Sequence, residues 1–196
     1  MHLDLPFGVR VGLALGFLTL TSAIEFWRRG PEAVRWRLSL VLIGCGSIGA
    51  GFGIAVDSIT VRLSPDYFAW GKALGDEPGL IGRALELGSM AGGSAGVTFG
   101  VVLIVAARGR AMTAPLRYAW PIPFLGALGG IAGALLAPWL RTVPVEAPFL
   151  GPSREGQAVL RVWCAHSGVY LGSLLGLVWA IRNVRKSPPN KIVVPE

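Results

Sequence analysis

Charge is scarce in this sequence, and acid is scarcer than base. Of 196 residues 15% are charged, with 11 Asp and Glu against 18 Lys and Arg. A soluble globular surface draws on about a quarter of its residues being charged, so lipid must cover part of this one. Cysteine is almost missing, with 2 in the chain, which excludes a disulfide framework. Cys45 falls in the middle of one apolar run and Cys164 near the outer end of another. Their depths do not match, and both are expected as buried thiols. Histidine is equally sparse (His2 and His166), and no CxxC, HExxH or Walker pattern occurs. Zinc, dinucleotide and nucleotide chemistries therefore find no support, and no cofactor is indicated.

Hydrocarbon is what the chain has in plenty. Hydrophobic residues make up 53%, gathered in five runs: Phe7 to Ile24, Leu38 to Val56, Leu85 to Ala107, Ile122 to Leu140 and Val159 to Ile181. Each approaches the ~20 residues that cross a hydrocarbon core. A lone segment in lipid must satisfy its own backbone hydrogen bonds, so each run is expected to be helical. The alternation that marks a membrane barrel is absent. The expected fold class is an all-α integral membrane protein. Residues 1–186 form a single bundle of five transmembrane helices and residues 187–196 a polar cytoplasmic tail.

The net charge of +7 is not that of a nucleic-acid binder, because its distribution follows the helices. One set of loops holds Arg28, Arg29, Arg35, Arg37, Arg108, Arg110, Arg117, Arg182, Arg185, Lys186 and Lys191, with only Glu25, Glu32 and Glu196 as acids. The other set holds the remaining acids and bases in near balance. Basic loops stay in the cytoplasm, which predicts the N-terminus outside and the C-terminus inside. Thr21-Ser-Ala23 also fits a signal-peptide cleavage site. However, Asp4 precedes the only early cation, Arg10, and Arg28 and Arg29 lie just beyond the run. The first segment is therefore read as a retained helix.

Glycine supplies the packing pattern, with 28 in the chain. In the second run Gly46, Gly49, Gly53 and Asp57 fall within about 80° on a helix. Gly88, Gly92, Gly96 and Gly100 recur every four residues in the third run, and Gly168, Gly172 and Gly176 in the fifth. Small residues on one stripe let helices approach closely. The same seams offer surfaces for a homo-oligomer or a membrane-complex partner, beside the lipid bilayer itself. The first external loop, from Asp57 to about Ala84, contains Ser64-Pro-Asp66, a helix-start signature. Tyr67, Phe68 and Trp70 follow, and a short interfacial helix is expected there.

Polar residues that carry chemistry gather near the outer face. Asp57 and Thr60 end the second run, Asp66 and Tyr67 lie in the loop, Glu86 opens the third helix, and His166 and Tyr170 lie four apart on the fifth. Ionisable groups at membrane depth face the bundle interior and pair. A His with carboxylates suits a divalent cation or a proton relay; the plainer alternative is a capping Asp57 and a hydrogen-bonded His166. Asp57 and His166 are expected to approach each other.

The stretch Asp57-x-Ile59-Thr60-x-Arg62-x-x-x-Asp66-Tyr67-Phe68, after a Gly-rich helix, resembles a signature of uncharacterised bacterial polytopic membrane proteins. Those read His-Asp-Gln-Val-Thr, then Glu-Tyr-Phe, and end in a helix with a His and a Tyr four apart, as His166 and Tyr170 are here. Val56 replaces the His before the Asp, and Asp66 replaces the Glu. The resemblance implies a bacterial inner-membrane location and the same candidate residues. The expected function is non-enzymatic: transport, ion handling or complex assembly. The alternative is a membrane-embedded enzyme or metal-binding protein with a site at the outer face.

Overall fold

The computed structural model describes residues 7–30, 33–75, 78–108, 114–140 and 154–188. The tail beyond Pro188 lies outside them. The described residues hold helices and no strand: α1 Phe7–Arg29, α2 Arg35–Leu63, α3 Leu80–Ala106, a single turn α4 Ala114–Arg117, α5 Pro121–Leu136 and α6 Arg154–Lys186. A π-helical turn, Tyr67–Gly71, follows α2, and a 3-10 turn, Ala137–Trp139, extends α5. Four segments are long and apolar enough to cross a membrane: Arg35–Leu63, Leu80–Ala106, Pro115–Trp139 and Gly156–Lys186. Their outward faces carry exposed Val105, Ile131, Leu135, Leu171 and Leu175, an apolar surface consistent with a membrane protein.

The second and fifth runs extend further as helices than their apolar stretches suggested. α2 continues to Leu63, so Asp57 and Thr60 lie within its last turns and do not end it. Ser64 ends it instead, in an extended conformation. The Tyr67 backbone N–H then reaches the Ser64 hydroxyl at 3.4 Å, so one residue closes a helix and caps the next turn.

The helices form two hairpins, α2 with α3 and α5 with α6, each packed far more densely within itself than against the other. Glycine sets both interfaces. A Cβ on Gly49 would stand closer than 3.0 Å to the Gly92 carbonyl, and one on Gly53 equally close to that of Gly88. In the second hairpin Gly129 meets the Gly168 carbonyl and Gly133 that of Cys164 in the same way. Gly96 lies against the Cys45 carbonyl, as Gly172 does against that of Leu125. Both hairpins thus repeat one crossing at the same four-residue steps along each helix. Backbone meets backbone across all these positions, and dispersion takes the place of the missing hydrophobic drive. Gly100 and Gly176 continue the two seams, against the Cys45 side chain and the Ile122 backbone.

α1 lies at the periphery and packs on α2. A buried hydroxyl pair, Ser22 to Ser39 at 2.8 Å, joins them. At the turn between them Glu25 accepts the Arg35 backbone N–H at 2.6 Å, an acid at a helix N-terminus.

Candidate functional site

Between the two hairpins lies a cavity of about 430 Å³, walled by α2, α3, α6 and the start of α5. Most of its lining is apolar: Ile48, Phe52, Leu87, Phe99, Val169 and Leu174 are typical. From Cys45 to Asp57, the lining of α2 extends over twelve residue steps, about 18 Å of helix at 1.5 Å per residue. Polar groups gather mostly toward one end, where Asp57, Lys72, His166 and Tyr170 meet; Ser173 lies deeper.

Asp57 faces this space because it continues the stripe of Gly49 and Gly53. Its carboxyl fits only because residue 88 has no side chain, since a Cβ there would stand 2.6 Å from Oδ2. Across the cavity His166 Nε2 lies 3.5 Å from Asp57 Oδ1 and 3.2 Å from the Thr60 hydroxyl. All three residues are buried. Thr60 donates its one proton to the Val56 carbonyl at 2.9 Å. Its oxygen therefore accepts from His166, which fixes a hydrogen on Nε2. Tyr67 and Phe68 cover the imidazole, with ring centroids 5.1 and 6.0 Å away, and Tyr170 lies at 6.5 Å. The Lys72 ammonium sits 5.5 Å over the Tyr67 ring. Burial first, then the neighbouring Tyr170 and Asp57, push the Tyr67 phenol up to about 12, so it keeps its proton at any physiological pH.

The expected constellation is thus assembled in part. Asp57, Thr60 and His166 come together, with Tyr67 and Tyr170 beside them. Asp66 is half-buried at the start of the π turn and lines no part of the cavity. Glu86 is exposed: Gly88 faces α2, and a residue two positions away points about 200° around the helix. Among the described residues no three His, Cys, Asp or Glu side chains come together as metal ligands. The expected interfacial helix is instead the five-residue π turn. It turns Tyr67, Phe68 and Ala69 inward and leaves Trp70 exposed. Both cysteines are buried free thiols.

Two chemistries are excluded by this arrangement. A nucleophile–His–acid relay needs the hydroxyl on one ring nitrogen and the acid on the other, whereas Thr60 and Asp57 both face Nε2. Gly44, Gly46 and Gly49 do match the G-x-G-x-x-G spacing of dinucleotide sites. They lie in the body of α2 with no strand before them, so they form no phosphate-binding turn. Lys72, Ser173 and Phe52 were not anticipated. Lys72 carried a signal, as a cation two residues beyond an aromatic cluster. No protein-family model, curated protein or solved structure matches the chain.

Proposed function

We propose that this is a non-enzymatic, polytopic inner-membrane protein that holds an apolar-bodied ligand between its two hairpins, as a carrier or transport component does. The cavity carries the proposal: about 430 Å³, largely apolar, with its polar residues gathered mostly toward one end. That volume lies within the ~300–1,000 Å³ of small-molecule sites, whose walls are apolar with a few placed polar groups. Ion handling is less well supported, because Asp57 and His166 offer too few ligands for a cation cage. An enzyme at the outer face has an acid and a His but no relay to a nucleophile.

The proposal includes α1 as a fifth span, the N-terminus outside and the C-terminus in the cytoplasm, on the bias of Lys and Arg between loops. It also places the chain with the bacterial membrane proteins whose D-x-[IV]-T and [DE]-Y-F signature it resembles. A reporter fused after Glu196 should behave as cytoplasmic, and a tag near Gly75 should be reached from outside. Ligand binding is tested by native mass spectrometry of the purified protein. Wild type should retain an apolar-tailed species, and Ala95→Phe, in the cavity wall, should release it. A wild type that carries nothing and takes up no pyrene-labelled alkyl probe would sink the proposal.

A further inference from the structure

The polar end of the cavity has an unmet need. Asp57 is 6% exposed, and its carboxyl has room for about four hydrogen bonds. Among the described residues the donor within reach is His166 Nε2, at 3.5 Å, and that nitrogen is nearer to the Thr60 hydroxyl at 3.2 Å. Gly88 packs against the other oxygen and offers only carbon. Asp57 lines the cavity, so its acceptor capacity is open to that space and a donor arriving in the cavity would meet it.

The charges say what kind of donor. Asp57 and Lys72 line the cavity, one of each sign. An anionic head would gain Lys72 and oppose Asp57, and a cationic head the reverse. An uncharged hydroxyl opposes neither, donates to Asp57, and has lone pairs for Lys72. Behind that end the lining runs along α2 for about 18 Å of mostly apolar wall, which matches one slender tail.

We infer that the site takes a single-tailed amphiphile with an uncharged, hydroxyl-bearing head, its hydroxyl donating to Asp57. This rests on the ligand-binding proposal above. Two lipid sources share that chemistry, prenyl quinols and monoacylglycerols.

The test uses the full chain in nanodiscs and four pyrene-labelled probes with one common tail. Their heads are a hydroxyl, its methyl ether, a carboxylate and a trimethylammonium. The hydroxyl probe should bind about tenfold tighter than the ether, the loss of one hydrogen bond to a charged acceptor, and tighter than both ions. Asp57→Asn, nearly isosteric, should shrink the hydroxyl-over-ether ratio while the tail still binds. Competition by a short-chain quinol and by a monoacylglycerol then separates the sources. Equal binding of hydroxyl and ether overturns the head assignment and leaves the ligand-binding proposal standing. Tightest binding of either ion overturns it likewise. No binding of any probe overturns both.

Discussion

Two glycines two residues apart on α2 should respond to the same substitution with opposite signs. A Cβ on Gly49 would lie within 3.0 Å of the Gly92 carbonyl carbon and the Gly96 Cα. These are backbone atoms of α3, so no rotamer change can make room and the helices must part. Overpacking of this kind costs about 1–3 kcal/mol. Replacing Gly by Ala in a helix returns about 1 kcal/mol, which leaves Gly49→Ala destabilised by up to about 2 kcal/mol. Gly51 has nothing within 4 Å of a new Cβ, so Gly51→Ala keeps only the gain. The propensity gain is common to both, so the gap between the variants is the overpacking cost, about 1–3 kcal/mol, or roughly 2–12 °C in Tm for a chain of this size. Thermal unfolding in detergent, followed by tryptophan fluorescence, measures it. If Gly49→Ala melts no lower than Gly51→Ala, the α2–α3 seam does not have the close contact on which the fold argument rests. Gly129→Ala should repeat the Gly49 result, because it meets Gly168 in the equivalent register.

Gly88→Ala should push the Asp57 carboxyl out of place and shift the His166 ring signals in NMR, while Gly82→Ala, in open space, should leave them unmoved. Thr60→Val removes the nearest acceptor of His166 Nε2–H and should cost about 1–3 kcal/mol; Thr60→Ser should recover most of it in the same melting assay. The Tyr67 phenol lies at about 12 in the folded chain against an ordinary 10.0. Between those values the unfolded chain has lost a proton that the folded chain keeps, so stability should fall as pH rises from about 10 to about 12. Ultraviolet titration should show Tyr67 as a late-ionising phenol, and Tyr67→Phe should remove its part of that alkaline loss.

Composition made the membrane helices legible, and glycine spacing made their packing faces legible. The stripe through Gly49, Gly53 and Asp57 is a statement about angle, and helical angle survives into the structure. It therefore placed Asp57 inward, where His166 now lies 3.5 Å away. What spacing could not give was phase after a change of helix type. The π turn at Tyr67–Gly71 winds more residues per turn than an α-helix. Tyr67, Phe68 and Ala69 all face inward there, where an α-helical wheel would have spread them over an interfacial face. Asp66 and Glu86 share the depth of the outer face, and depth alone does not say which side of a helix a residue occupies. The extension of α2 through polar Asp57, Ser58 and Thr60 was missed because hydropathy falls there while the helix does not stop until Ser64.

Unequal stiffness follows from the repeated glycine crossing. Within each hairpin, backbone rests on backbone, and even one added methyl group has nowhere to go at Gly49, Gly53, Gly129 or Gly168. Between the hairpins contact is sparse, and the cavity occupies much of the gap. Such a body is compliant along one seam and rigid elsewhere, so its softest deformation is a relative tilt of two stiff pairs. That tilt breaks no intrahelical hydrogen bond, which bilayer lipid would make costly to lose. For a ligand of the kind proposed, such a tilt would open a sideways path between the pairs while each helix stays wound.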